Sequence, residues 1–216
     1  MINMQNVTFR YGKRAPIILN DLSLTIEQGS SVALLGRSGS GKTTLSRLLL
    51  GLMKPTEGNI IIQGELATKA PKGIGQLVHQ HPESSLNSKR SIVESVEEPL
   101  LQLGLSRKER ERQVREMLLE VGLDESFFYR YPDQMSGGQL QRVCIARALI
   151  AKPAFVVLDE VVNRLDVQTK VKLLDLLRVL KHSHQLTYLF VTHDVTSAEY
   201  TCDTIYRLEN GTIQSQ

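Results

Sequence analysis

The stretch Gly36-Arg37-Ser38-Gly39-Ser40-Gly41-Lys42-Thr43 has the spacing G-x-x-x-x-G-K-[ST], and its residue types suit a phosphate chain. Glycines let backbone N–H groups close around phosphate oxygens, and a helix N-terminus behind them adds a favourable dipole. In that setting the Lys42 ammonium pairs with β- and γ-phosphates, and the Thr43 hydroxyl suits Mg²⁺. By itself the motif implies a P-loop NTPase and nothing finer.

A second candidate is Phe155-Val156-Val157-Leu158-Asp159-Glu160, an apolar run that ends in two acids. The C-terminal end of a strand is where open α/β sheets place ligand chemistry. Asp159 there suits Mg²⁺ held through water, and Glu160 suits polarisation of an attacking water. An amide of the same shape would lose the charge or the basicity. Two acids after a strand also make an ordinary solvated loop, so this pair takes its meaning from its neighbours. The third candidate, Ser136-Gly137-Gly138-Gln139, offers a hydroxyl and glycine amides at a helix start, a second phosphate cradle.

These residues need elements to carry them. Val32-Ala33-Leu34-Leu35 is a short, wholly apolar run, the mark of a strand buried on both faces, and it leads into the glycine-rich loop. Leu45, Leu48, Leu49 and Leu52 recur at helical spacing, so a helix with one apolar face follows. Upstream, Asn6 to Tyr11 and Leu22 to Ile26 alternate as strands, with a turn expected at Asn20-Asp21. Asn59 to Ile62 and Leu77-Val78-His79 read as further strands, and residues 64–74 as loop. From Gly138 to Ala151 a helix is expected, then a strand at Ala154 to Leu158 and a helix from Val167 to Leu180. Thr187 to Val191 and Thr204 to Leu208 complete the strands, the last turning at Asn210-Gly211. Strands alternate with helices and several are wholly apolar, which predicts a parallel sheet covered on both faces. The middle, about residues 83–137, changes to helical patterns, with Val114, Met117, Leu118 and Val121 on one face, and reads as an insertion.

Composition narrows the class further. The 26 basic and 23 acidic residues nearly balance at +3, so no concentrated basic face for nucleic acid is expected. In Arg107-Lys108-Glu109-Arg110-Glu111-Arg112 the signs alternate, which predicts a solvated helix face with i,i+4 pairs. The two cysteines, Cys144 and Cys202, form no disulfide framework, and Cys144 reads as a small core hydrophobe in a reduced compartment. No secretory leader is expected at Met1-Ile2-Asn3-Met4-Gln5, and no apolar stretch approaches the ~20 residues of a membrane helix. The H-x-H pairs His79/His81 and His182/His184 have no evident further ligands nearby, so polar surface histidines are expected there.

Met135-Ser136-Gly137-Gly138-Gln139, with Leu140-Gln141-Arg142 after it, closely resembles the LSGGQ signature of ATP-binding cassette (ABC) ATPases, and the resemblance spans nearly the whole chain. It implies an α/β fold: a RecA-like P-loop NTPase core with an antiparallel β subdomain and an inserted α-helical subdomain. Residues 1–82 and 138–216 would form the core and about 83–137 the helical part. It implies ATP as substrate, bound by Tyr11 stacking on adenine and by Gly36, Arg37, Ser38, Gly39, Ser40, Gly41, Lys42, Thr43 and Thr44. Mg²⁺ would be held by Thr43, Gln80 and Asp159. Glu160 would act on the attacking water, Gln80 and His193 would sense the γ-phosphate, and Asn163 and Asp166 would form the D-loop. Ser136, Gly137, Gly138 and Gln139 would complete the site of a partner subunit, with ATP sandwiched between two chains.

Two departures from the family pattern stand out. Asn163 and Arg164 replace the usual serine and small residue of the D-loop, which would favour an unlike partner, and Met135 replaces leucine at near-equal volume. After Gln80, Pro82-Glu83-Ser84-Ser85-Leu86-Asn87 resembles a segment of the nickel and peptide importer ATPases, with His81 and Ser88 in place of its aspartate and proline. That group implies a second, different ATPase subunit, two integral-membrane permease subunits, an extracytoplasmic binding protein and no nucleic acid. The ATPase would sit peripherally on the cytoplasmic face of the inner membrane, with residues Gln80 to about Arg90 gripping the permease. Nickel or a metal chelate is the expected cargo, with a di- or oligopeptide importer or an exporter of the same fold left as alternatives. ATPases of this group often extend further at the C-terminus, which leaves the contribution of such a tail open.

Overall fold

Alternation and apolar runs become two sheets in the computed structural model, which describes residues 1–68 and 73–215. Of the segment 64–74, expected as loop, residues 69–72 lie outside the described residues, and Glu65–Leu66 instead pair with Ile61 and Ile62 as a short strand. The chain divides into two units. One comprises residues 1–77, 154–160 and 177–216, and the other residues 78–153 and 161–176.

In the first unit, β1 (Ile2–Phe9), β2 (Leu19–Ile26), β4 (Glu57–Ile62) and β5 (Glu65–Leu66) form a four-stranded sheet in the order β2-β1-β4-β5. Its pairings are antiparallel. The turn expected at Asn20-Asp21 is instead part of β2. Asp21 takes a left-handed φ of 48° beside register shifts in β1, so the strand bulges rather than reverses. The Thr8 hydroxyl accepts the Asp21 N–H at 3.1 Å, and the Asn6 amide donates to its carboxylate at 2.9 Å.

The second sheet has six strands. They are β3 (Ser31–Leu35), β6 (Gly75–Val78), β7 (Phe155–Asp159), β8 (Tyr188–Thr192), β9 (Thr204–Glu209) and β10 (Thr212–Ser215), in the order β10-β9-β3-β8-β7-β6. The pairs β3·β8, β3·β9 and β7·β8 are parallel, as the wholly apolar runs predicted, and β10 turns back antiparallel at Asn210-Gly211. β3 and β8 are buried at every residue, so neither alternates.

Helix α1 (Lys42–Leu49) follows β3 and buries Leu45, Leu48 and Leu49 in a core with Val7, Leu24, Leu34, Phe155 and Leu189. Leu52 does not join them. Gly51 takes φ 68°, its N–H bonds the Leu48 carbonyl, and the Leu52 N–H bonds that of Arg47, so the helix has closed and Leu52 is exposed. A helix with no sequence signal, α7 (Val195–Thr201), precedes β9. Its single apolar anchor is Ala198, and the Ser197 hydroxyl donates to Asp194.

The second unit is helical: α2 (Pro82–Ser85), α3 (Ile92–Glu97), α4 (Arg107–Glu120) and α5 (Gly137–Leu149), with short 3-10 turns between them. Serines start three of these elements. Ser91 and Glu94 form a reciprocal capping box on α3, Ser106 caps α4, and Ser136 caps α5. Val114, Leu118 and Val121 are buried on one side of α4. Its charged face pairs Arg107 with Glu111 at 2.7 Å and Arg112 with Glu116 at 2.8 Å, as the alternating signs predicted. Helix α6 (Val167–His184) belongs to this unit as far as residue 176 and to the first beyond it.

Cys144 is buried on α5, and burial pushes its thiol up to about 11. Cys202 is partly buried, and desolvation, reinforced by the charge of Asp203, pushes it up to about 12. Among the described residues, no helix is long and apolar enough to cross a membrane.

Candidate active site

The loop between β3 and α1 is built by its glycines. Gly39 and Gly41 take φ of 80° and 107°, a region closed to most side chains. A Cβ on Gly36 would lie 2.6 Å from Ser40 Oγ and 2.8 Å from the Leu208 carbonyl. Lys42 is buried, and its ammonium donates to the Gly36 and Arg37 carbonyls at 2.7 and 3.0 Å. A cation is thus held within the loop by the loop itself. Ser40 Oγ is buried with no hydrogen-bond partner, an unsatisfied polar atom of the kind a phosphate oxygen would relieve. Arg37, Ser38 and Thr43 are exposed, the last in the first turn of α1. A cleft of about 550 Å³ borders the loop, lined also by Ile17, Ile18 and the β9–β10 turn.

Tyr11 follows the end of β1 and reaches the first turn of α1. Its ring packs edge-on against Phe9 with centroids 5.1 Å apart, and its hydroxyl lies 3.0 Å from that of buried Thr44. Tyr11 remains 59% exposed as a residue, so aromatic surface is available beside α1.

Three parallel strands end side by side. Leu35 pairs with Thr192 and Asp159 with Val191, so Gly36, His193 and Glu160 follow neighbouring strand ends. Glu160 has φ 52°, a left-handed conformation uncommon outside glycine, asparagine and aspartate. Its N–H bonds the Val191 carbonyl at 2.9 Å, which helps hold it there. Its carboxylate stands 3.9 Å from His193 Nδ1, beyond hydrogen-bond reach but within range of a protonated imidazole. No sequence signal marked that strain. Such conformations persist where the surroundings over-determine them, and they cluster at active sites.

The other expected residues lie in the second unit. Ser136 and Gln139 engage each other: the Gln139 side chain accepts the Ser136 N–H at 2.9 Å, and Ser136 Oγ accepts the Gln139 N–H at 3.4 Å. The signature is therefore also a capping box, and Ser136 keeps its own O–H to donate. Gly137 is exposed and Gly138 buried. Asp166 Oδ1 accepts the Thr169 N–H at 3.0 Å at the start of α6, and the hydrogen bonds from Thr169 hold its carboxyl below the usual range. Asn163 is half-buried and Arg164 exposed. Gln80 follows His79, whose carbonyl accepts from the buried amide of Gln141 at 3.2 Å, while Arg147 donates to the Ser85 carbonyl at 2.7 Å. Helix α5 thus clamps both flanks of the segment after Gln80. Gln141 is 1% exposed, and its only trace in the sequence was a polar residue on a helix rich in apolar ones.

Known proteins resemble this chain in sequence and in fold. The family model described as ABC transporter matches residues 19–163. The nickel import ATP-binding protein NikE of Escherichia coli O157:H7 is 41% identical over 204 residues, spanning 91% of this chain and 76% of that protein. Among solved structures, cbiO1 from Clostridium perfringens, part of the ABC transporter complex cbiONQ, superposes with a TM-score of 0.91 at 25% identity, covering 99% of this chain and 86% of that one. The dimeric, post-hydrolysis ATP-binding cassette MJ0796 bound to ADP and Pi superposes with a TM-score of 0.85 at 31% identity, covering 100% of this chain and 98% of that one. With a phosphate loop, a paired-acid strand end and a capped signature helix on this fold, the chain belongs to the ABC transporter family and is one of its ATP-hydrolysing cassettes.

Proposed function

We propose that this cassette powers nickel import, paired with a second, different ATPase subunit beneath two membrane permease subunits fed by an extracytoplasmic binding protein. It would be held peripherally at the cytoplasmic face through the permease, with the segment from Gln80 to about Arg90 as the grip. The nickel cargo is supported by the likeness to nickel import ATP-binding proteins and by Pro82 to Asn87.

In the proposed site, Tyr11 stacks on adenine, and the backbone N–H groups of residues 36–44, with the Lys42 ammonium, hold the phosphates. Two of the three Lys42 donors bond loop carbonyls, leaving one for a phosphate oxygen. Thr43 and Asp159 would hold Mg²⁺, which when bound neutralises charge developing on the phosphate oxygens. Glu160 orients the attacking water and draws off its proton, and His193 steadies the γ-phosphate oxygens beside it. Ser136, Gly137, Gly138 and Gln139 of one chain close over ATP bound to the other. ATP favours the closed dimer and hydrolysis reopens it, and this alternation drives the permease.

The observation that carries the catalytic reading is Glu160, held left-handed at the end of β7 with His193 3.9 Å away. Its test is Glu160→Gln in the assembled transporter. ATP affinity should stay near wild type while turnover falls on the order of 10²-fold or more. Wild-type turnover by this variant would overturn the assignment of the base. Cells expressing it should lose nickel accumulation, and unchanged nickel uptake in cells lacking the subunit would overturn the cargo.

A further inference from the structure

The two glycines of the signature stand in different surroundings. A Cβ at Gly137 would meet nothing within 4 Å. A Cβ at Gly138 would fall inside van der Waals contact of Thr169 Cγ2, with Thr169 Cβ at 3.8 Å and Leu165 Cδ2 at 3.9 Å. The buried glycine is therefore packed directly on the first turn of α6. Thr169 also donates its N–H to Asp166 Oδ1 at 3.0 Å. A single residue thus meets the capping aspartate of the D-loop on one side and the signature glycine on the other.

We propose that Thr169 is a positioning residue for ATP turnover: its methyl group, set by the Asp166 cap, fixes how far the signature loop stands from α6. The proposal rests on the reading that Ser136 to Gln139 act on ATP bound by the partner. The physical argument is steric. Thr169 is β-branched and on a helix, where its side chain has few rotamers to retreat into. The backbone around Gly138 is tied by the Ser136–Gln139 capping box, so an added methyl moves the loop as a body rather than one atom. A misplacement of about 1 Å in groups that orient a reacting phosphate is enough to lower turnover by about 10²-fold, and a smaller one lowers it less. Gly137, facing open space, has no such constraint within its own chain.

The experiment uses the assembled transporter and pairs size changes. Gly138→Ala should cut kcat at least tenfold while the chain's ATP affinity stays near wild type, because the phosphate loop is untouched. Thr169→Ser, which removes Cγ2 but keeps the hydroxyl and the N–H, should lower kcat several-fold alone by leaving the loop unsupported, and should restore most of the kcat when combined with Gly138→Ala, whose methyl refills that space. Thr169→Val, which keeps a methyl at that place, should give no rescue. Full activity of Gly138→Ala, or equal failure of the serine and valine combinations, would overturn the role of Thr169. Ser136→Ala separates the two readings. If it leaves turnover unchanged, the trans-acting role of the signature fails; if it abolishes turnover while the serine combination gives no rescue, only the positioning proposal fails.

Discussion

Glu160 holds a backbone conformation that costs on the order of 1–3 kcal/mol for a residue with a side chain. Glycine would relieve that strain while losing about 0.5–1 kcal/mol to chain entropy. Glu160→Gly should therefore melt no lower than the wild type yet hydrolyse no ATP, as thermal denaturation and phosphate release would measure. A marked fall in melting temperature would mean that the carboxylate supports the fold, not only the chemistry. At this scale the residue types were legible: Lys42, Asp159, Glu160 and His193 all stand at strand ends or the helix start that spacing implied. The strain at Glu160 was not, because the hydrogen bond that helps hold it is to Val191, a partner 31 positions along the chain. The capping role of Ser136 and Gln139 was hidden for a different reason. The same residues serve a helix start and a phosphate cradle, and the sequence pattern is shared.

Elements were legible where one periodicity dominated and obscure where a local bond decided the outcome. The fully buried β3 and β8 and the inner face of α4 followed from their apolar patterns. Leu52 obeyed the helical spacing but fell beyond a helix that Gly51 had already closed. Asp21 read as a turn because aspartate tolerates left-handed φ, a property that a bulge exploits equally well. Helix α7 escaped notice because a seven-residue helix with one buried apolar side chain leaves almost no period. The Leu48/Leu52 pair turns this into a measurement. Leu48→Ala, emptying a fully buried position, should cost about 2–5 kcal/mol in denaturant unfolding. Leu52→Ala, two-thirds exposed, should fall within about 0.5 kcal/mol of the wild type. Equal costs would place Leu52 in the core after all.

For the molecule as a whole, nucleotide should act as a stabiliser, since the phosphate loop exists only when β3 and α1 are folded. Saturation at about 100 times Kd adds roughly 2.7 kcal/mol to the folded state. Melting temperature should rise with Mg²⁺-ATP and fall back when a chelator removes the metal. The rise should be absent in Lys42→Ala, and a rise that survives Lys42→Ala would mean that the nucleotide binds elsewhere. Fold class and the parallel pairing of the inner strands were implied by alternating strands and helices; the order of the strands was not.

The protein's two thiols, Cys144 and Cys202, have a practical consequence. Both are shielded, and burial holds their pKa values at about 11 and about 12, so at neutral pH neither supplies much thiolate for alkylation. The native chain is therefore a quiet background for site-directed labelling. A single cysteine introduced on an exposed helix face would take up a spin label or fluorophore without first stripping the natural ones, and opening and closing of the assembled motor could be timed directly.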